Sequence, residues 1–228
     1  MPDKDPSITN DPRVRQAINY ALDREGIVKA AYDGVSRPAK DQLITPNVFG
    51  HQKDFTAPAY DPDKARALLK DAGLGGGTSM RVDAQVITFP PAKPILEASI
   101  GLWSAVGIES DVRTIEINVW RDRLYGRETT GRPGAFFMGW SSFLYEAALA
   151  WQWHASTNPY ALWNNPKFDA ARDEANEAVD PKARMAAYRK MAIEEQVENG
   201  GPSAFIAENT SAYCLNKTVI DPDSYIPW

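Results

Sequence analysis

Met80-Arg81-Val82-Asp83-Ala84-Gln85-Val86 alternates apolar with charged or polar side chains. That is the period-two pattern of a strand with one buried face. Residues 92–106 follow with helical spacing, placing Ile95, Leu96, Leu102 and Trp103 on an apolar side, and Gly107 closes the run. Residues 108–117 are extended again and rich in β-branched side chains. Strand, helix and strand at this spacing predict a βαβ unit with parallel strands and a right-handed crossover. A short helix is expected near 118–126, and Ala135-Phe136-Phe137-Met138 reads as a central strand. Residues 203–207 and 211–215 read as late strands. The fold class is therefore α/β (α+β), a mixed sheet flanked by helices.

Outside this unit the helices announce themselves through one device, an Asp or Asn N-cap followed by Pro at the first helical position. Asp11-Pro12, Asp61-Pro62, Asn165-Pro166 and Asp180-Pro181 are the four instances. The first carries Val14, Ala17, Ile18, Ala21 and Leu22 on one face, and the last runs through Tyr188 and Met191 to Val197 before Gly200-Gly201. Each is amphipathic and needs a covering layer. The proline-bearing segment 34–60 lacks periodicity and reads as a structured excursion or part of a ligand rim.

The 228 residues are 43% hydrophobic and 24% charged, enough for a buried core, with a net charge of −5. The Lys and Arg residues are interleaved with acids, as in Asp23-Arg24-Glu25, so no basic stripe exists for nucleic acid or anionic lipid. No apolar run is long enough to span a membrane, and residues 1–6 lack the apolar core of a signal peptide. One cysteine, Cys214, and two separated histidines, His51 and His154, give no metal-ligand spacing, so neither metal nor cofactor is expected. Gly73-Leu74-Gly75-Gly76-Gly77 precedes a strand rather than following one, so it reads as a turn and not a phosphate loop.

Candidate chemistry concentrates in residues 139–154, where Trp140, Trp151 and Trp153 accompany Tyr145 and Glu146. Loops leaving the carboxyl ends of strands are where α/β sheets bind ligands. Aromatic faces, hydroxyls and a carboxylate suit an organic ligand, with the acid facing a cation or amine. The same tryptophans also suit a core. Three functions compete: a binding module, a hydrolase using Glu146 or His154, and a protein-interaction domain acting through the aromatic loop 139–154. The hydrolase lacks a nucleophile-elbow motif, and His154 is expected at the surface or as a cap. Arg127 is expected to make surface ion pairs, with a ligand carboxylate as the alternative partner.

Residues 10–28, from Asn10-Asp11-Pro12-Arg13-Val14-Arg15-Gln16-Ala17-Ile18 through Ile27-Val28, closely resemble a signature of the family-5 extracellular solute-binding proteins, the receptors of bacterial ABC importers for peptides, opines and nickel. Four further elements continue in register: Tyr60-Asp61-Pro62, Trp103-Ser104-Ala105-Val106-Gly107-Ile108, Gly139-Trp140 and Asn164-Asn165-Pro166-Lys167-Phe168-Asp169. The resemblance implies a periplasmic-binding-protein-like type II lobe. Residues 1–228 would form one domain, the second lobe of a two-lobe receptor, with residues 1–9 a disordered extension. It further implies non-catalytic capture of a small organic solute or peptide, a periplasmic parent, a missing first lobe as partner, and docking to a membrane permease. Trp140 matches the family's pocket tryptophan. Peptide-binding members carry an Asp three positions beyond it, where this chain has Phe143. The expected ligand contacts are Trp140, Ser141, Ser142, Phe143, Tyr145 and Glu146, with Glu146 taking a cationic partner.

Overall fold

The computed structural model describes residues 8–33, 35–85, 92–124, 134–139, 146–158 and 163–208. In chain order the helices are α1 (Pro12–Tyr20), α2 (Arg24–Tyr32), α3 (Pro62–Asp71), α4 (Ala92–Ser104), α5 (Ile117–Leu124), α6 (Ala147–Trp151), α7 (Pro166–Glu177) and α8 (Pro181–Glu195). The strands are β1 (Thr78–Gln85), β2 (Ile108–Ile115) and β3 (Ala135–Phe137). All four Asp/Asn–Pro sites open helices, and each cap side chain accepts a backbone N–H of the first turn. The expected strand at 211–215 lies outside the described residues, as does Arg127.

The βαβ unit forms as its spacing predicts. β1 pairs in parallel with β2, from Thr78 opposite Ile108 to Gln85 opposite Ile115. Gly107 turns α4 into β2 at φ 96°, a conformation side chains with a Cβ resist. β3 pairs in parallel with the other side of β1, giving the order β2-β1-β3. Among the described residues β1, not β3, is therefore the central strand. The apolar run of β3 is half-buried, with side chains on both faces meeting apolar groups. Phe136 packs edge-on against Trp120 of α5, with ring centroids 5.6 Å apart, while Ala135 and Phe137 join the main core.

That core lies on one face of β1, where Met80, Val82 and Ala84 meet α1 and α4 through Val14, Ile18, Ile95 and Trp103. The opposite face differs from a solvated polar one. Asp83 is completely buried beneath α5. Its carboxylate accepts from Arg81 at 3.1 Å and from Arg123 at 3.0 Å, and the indole of Trp120 donates to its carbonyl at 3.2 Å. A buried charge persists only when paired in this way.

A second hydrophobic cluster surrounds the α7–α8 hairpin and α6, with Phe168, Tyr188 and Met191 at its centre. The irregular segment 35–60 joins it through Ile44, Val48 and Phe55. Side chains satisfy part of this segment's backbone: Gln42 accepts from the Gln52 N–H and donates to the Gln52 carbonyl. α8 stops at Glu195, short of Val197, and a 3-10 turn (Val197–Asn199) leads to Gly200 at φ 73°. Residues 203–207, expected as a strand, make only the isolated bridge of Ala207 with Pro38. The turn Ile8–Asn10 belongs to the ordered fold, with the Thr9 hydroxyl donating to the Gly134 carbonyl at 2.7 Å.

Replacing Asp83 by Ala removes the buried carboxylate that Arg81 and Arg123 share. Urea denaturation of Asp83→Ala is expected to show a loss of about 3 kcal/mol. Arg81→Ala, which leaves Arg123 in place, is expected to cost less.

Candidate functional site

A cavity of about 380 Å³ lies between the two hydrophobic clusters. Its sheet wall is Met80 and Val82 with β3 and the following Met138 and Gly139, and its opposite wall is the extended segment 202–208. Residues 40 and 42–45 of the irregular segment form a third side, and Trp153, His154 and Trp163 close one end. The excursion is thus both packed and part of a rim. Mostly apolar walls with a few placed polar groups are the usual composition of a small-molecule site.

The polar end is built around Glu195, the last residue of α8, whose side chain has no solvent exposure. Its Oε2 accepts from the Trp151 indole at 2.9 Å and from the Leu43 N–H at 3.2 Å. Its Oε1 lies 2.5 Å from His154 Nδ1, with neither atom in an aligned hydrogen bond. Trp163 meets the imidazole edge-on with centroids 6.5 Å apart, and Phe168 lies tilted against it at 6.3 Å. On the other side of the ring, Nε2 faces the hydroxyl of Ser203 at 3.4 Å. His154 is therefore a mostly buried cavity residue, not a surface or capping histidine. The aromatic ring neighbours and the distant Glu195 explain why: its burial partners lie on α7 and α8, far along the chain.

Ser203 owes its position to carbonyl-directed bonds from α1 and α2. Arg15 donates to the carbonyls of Gly200 and Gly201, Asn19 to that of Ser203 at 3.3 Å, and Arg24 to that of Phe205 at 2.6 Å. Gly201 is required here, because a Cβ would sit 1.8 Å from the Glu195 carbonyl. Asp41 sits beside this network, buried, accepting the Val197 N–H at 2.9 Å. Burial pushes its carboxyl up to about 6, against the opposing pull of the Val197 bond and Arg24, while the charge of Glu195 adds to the rise. Burial also draws the Arg24 guanidinium down to about 10.

Of the residues expected to touch ligand, Trp140, Ser141, Ser142, Phe143 and Tyr145 lie outside the described residues. Glu146 is described. It precedes α6, accepts from the Tyr188 hydroxyl at 2.5 Å, lies 3.9 Å from Arg184, and is not among the described lining of the cavity. The phenol of Tyr188 is raised, by burial first and by Glu146 second. Trp151 is fully buried in the second cluster, whereas Trp153 lines the cavity. Thus the aromatic stretch divides between core and wall. Glu195 and Ser203 escaped notice in the sequence because nothing local marks them. Arg15 and Asn19, four apart on α1, were the legible signal: two polar residues on a helix side that meets protein.

Residues 3–161 match the family model described as bacterial extracellular solute-binding proteins, family 5 middle. The chain is 29% identical over 230 residues to a dipeptide-binding protein of Escherichia coli K12, covering 93% of this chain and 41% of that protein. It is 29% identical over 191 residues to heme-binding protein A of Haemophilus influenzae, covering 79% of this chain and 34% of the relative. The murein tripeptide binding protein of Escherichia coli superposes with a TM-score of 0.75 at 19% identity, over 90% of this chain and 40% of the other. A second structure, HbpA2 from Haemophilus parasuis, superposes at 0.74 with 23% identity, over 87% and 39%. These likenesses confirm the fold class, and the chain spans about two fifths of the length of its relatives.

Asp41 carries a pH signature. A carboxyl raised in the folded state contributes stability that is complete below its ordinary value of 3.8 and is lost as pH rises through about 6. Denaturation midpoints of wild type and Asp41→Asn at pH 4 and pH 7.5 are expected to separate by roughly 2–3 kcal/mol in their pH dependence, the variant losing less on going to neutral pH.

Proposed function

Since the chain belongs to the bacterial extracellular solute-binding proteins of family 5, we propose that it is the second, ligand-binding lobe of a receptor that captures a small organic solute or peptide and delivers it to an ABC permease. The observation that carries this reading is the cavity between β3 and residues 202–208, mostly apolar and closed at one end by polar groups. The stretch 140–145 continues directly from Gly139 on the cavity wall. Trp140, Ser141, Ser142, Phe143 and Tyr145 are proposed as the remainder of that wall. Glu146 ends the stretch with its carboxylate held by Tyr188, on the protein side.

In this account a first lobe, not present in this chain, closes over the solute, and contacts made by both lobes at once drive closure. The parent receptor is placed outside the cytoplasmic membrane, where the permease accepts its cargo. No bond is made or broken. The hydrolase reading gains three groups of the right types in Ser203, His154 and Glu195. However, the family match over residues 3–161 favours binding over nucleophilic attack.

One lobe supplies part of the contacts while meeting the full cost of immobilising the ligand. Calorimetry of this chain with di- and tripeptides is expected to give dissociation constants weaker than about 100 μM. The two-lobe parent is expected to bind at least about a hundredfold tighter and to contract in X-ray scattering when its solute is added. Micromolar affinity in the isolated chain, or a parent whose scattering is indifferent to every solute it binds, contradicts the proposal.

A further inference from the structure

We propose that His154 and Ser203 form a subsite for the carboxylate of the captured solute, with Glu195 as its buried counter-charge. The proposal rests on the receptor reading above and names the ligand chemistry that the cavity selects.

The argument begins with Glu195. A carboxylate without solvent exposure requires a neutralising partner. Oε2 has two N–H donors, but Oε1 has no aligned hydrogen-bond donor and has the His154 ring 2.5 Å away. With both ring nitrogens protonated, an imidazole at that position would supply the missing positive charge. Its second N–H, on Nε2, then faces the cavity beside the Ser203 hydroxyl. At 3.4 Å the two groups are too far apart to satisfy one another fully. A pair of adjacent donors, one charged, fits an acceptor with two oxygens.

Surrounding charges agree. Among the described residues lining the cavity, Arg15 and Lys40 are cationic and Glu208 is the one carboxylate. Lys40 donates to the Lys53 carbonyl at 2.7 Å. The nearby acid Asp41 faces Arg24 as its counter-charge and accepts from Val197. A ligand anion therefore enters a site with positive groups on two sides, whereas a ligand ammonium at Nε2 would meet a cation. The recognition expected from Glu146 is of the opposite sign, and that carboxylate is held by Tyr188 and Arg184.

The chain contains two histidines, so ring-labelled protein gives two sets of imidazole signals, with His51 as internal control. The probes are N-acetyl-leucyl-phenylalanine and its C-terminal amide, titrated to about 10 mM to reach millimolar affinities. The acid is expected to move the Nε2 signal of His154 and leave His51 in place, and the amide to bind at least about tenfold more weakly. Ser203→Ala is expected to narrow the acid–amide gap while keeping the Glu195 contact. An acid that leaves His154 unmoved, or an acid and amide that move it equally, overturns the subsite. A structural His154–Glu195 pair alone predicts the first of these outcomes, an unmoved ring. Failure of the receptor reading registers elsewhere, in the scattering of the two-lobe parent.

Discussion

A single carboxylate with no access to water ties together the elements of the second hydrophobic cluster. Glu195 ends α8, and it binds the indole of α6, the backbone of the irregular segment at Leu43 and the ring of His154. Hydrophobic contact alone gives these elements no register, since apolar packing is non-directional. The buried charge supplies direction: each donor must arrive at an oxygen, and leaving one out costs its full desolvation. The position of the cavity's polar end follows, because His154 and the start of segment 202–208 are fixed relative to that group.

A second constraint acts from the first cluster. Arg15, Asn19 and Arg24 address successive carbonyls of residues 200–205, holding that stretch extended without strand pairing. Opposite it stands β3, whose pairing with β1 is its one ladder among the described residues. Two extended segments held apart by side chains leave space between them, and that space is the cavity. The same residues that would close a core if they paired therefore line a site because they do not. The hydrophobic clusters on either side remain packed, so the opening needs no cavity-forming defect in either core.

Local chemistry was legible in the sequence, and long-range chemistry was not. The Asp/Asn–Pro caps and the βαβ unit are read within a few residues, and the structure reproduces them. α2 lacks a proline and is separated from α1 by only three residues, so its Asp23 cap was hidden inside a charge cluster. α6 is a five-residue helix, too short for periodicity to declare it. The polar face of β1 read as solvated because alternation records polarity and not cover, and Asp83 is covered by α5. His154 and Ser203 are 49 residues apart and meet only through Glu195 and the α1 contacts. The family resemblance implied a binding role and gave the type II fold, but it pointed to the stretch 140–146 and gave no sign of the His154 end.

The account stands on the claim that the space between β3 and residues 202–208 holds the solute. A crystal structure of the two-lobe parent grown with its bound solute tests it most directly. The account predicts solute atoms in contact with the walls at β3 and Ser203, with the remaining contacts coming from outside this chain. A solute seated away from both walls, with the cavity filled by protein, contradicts it.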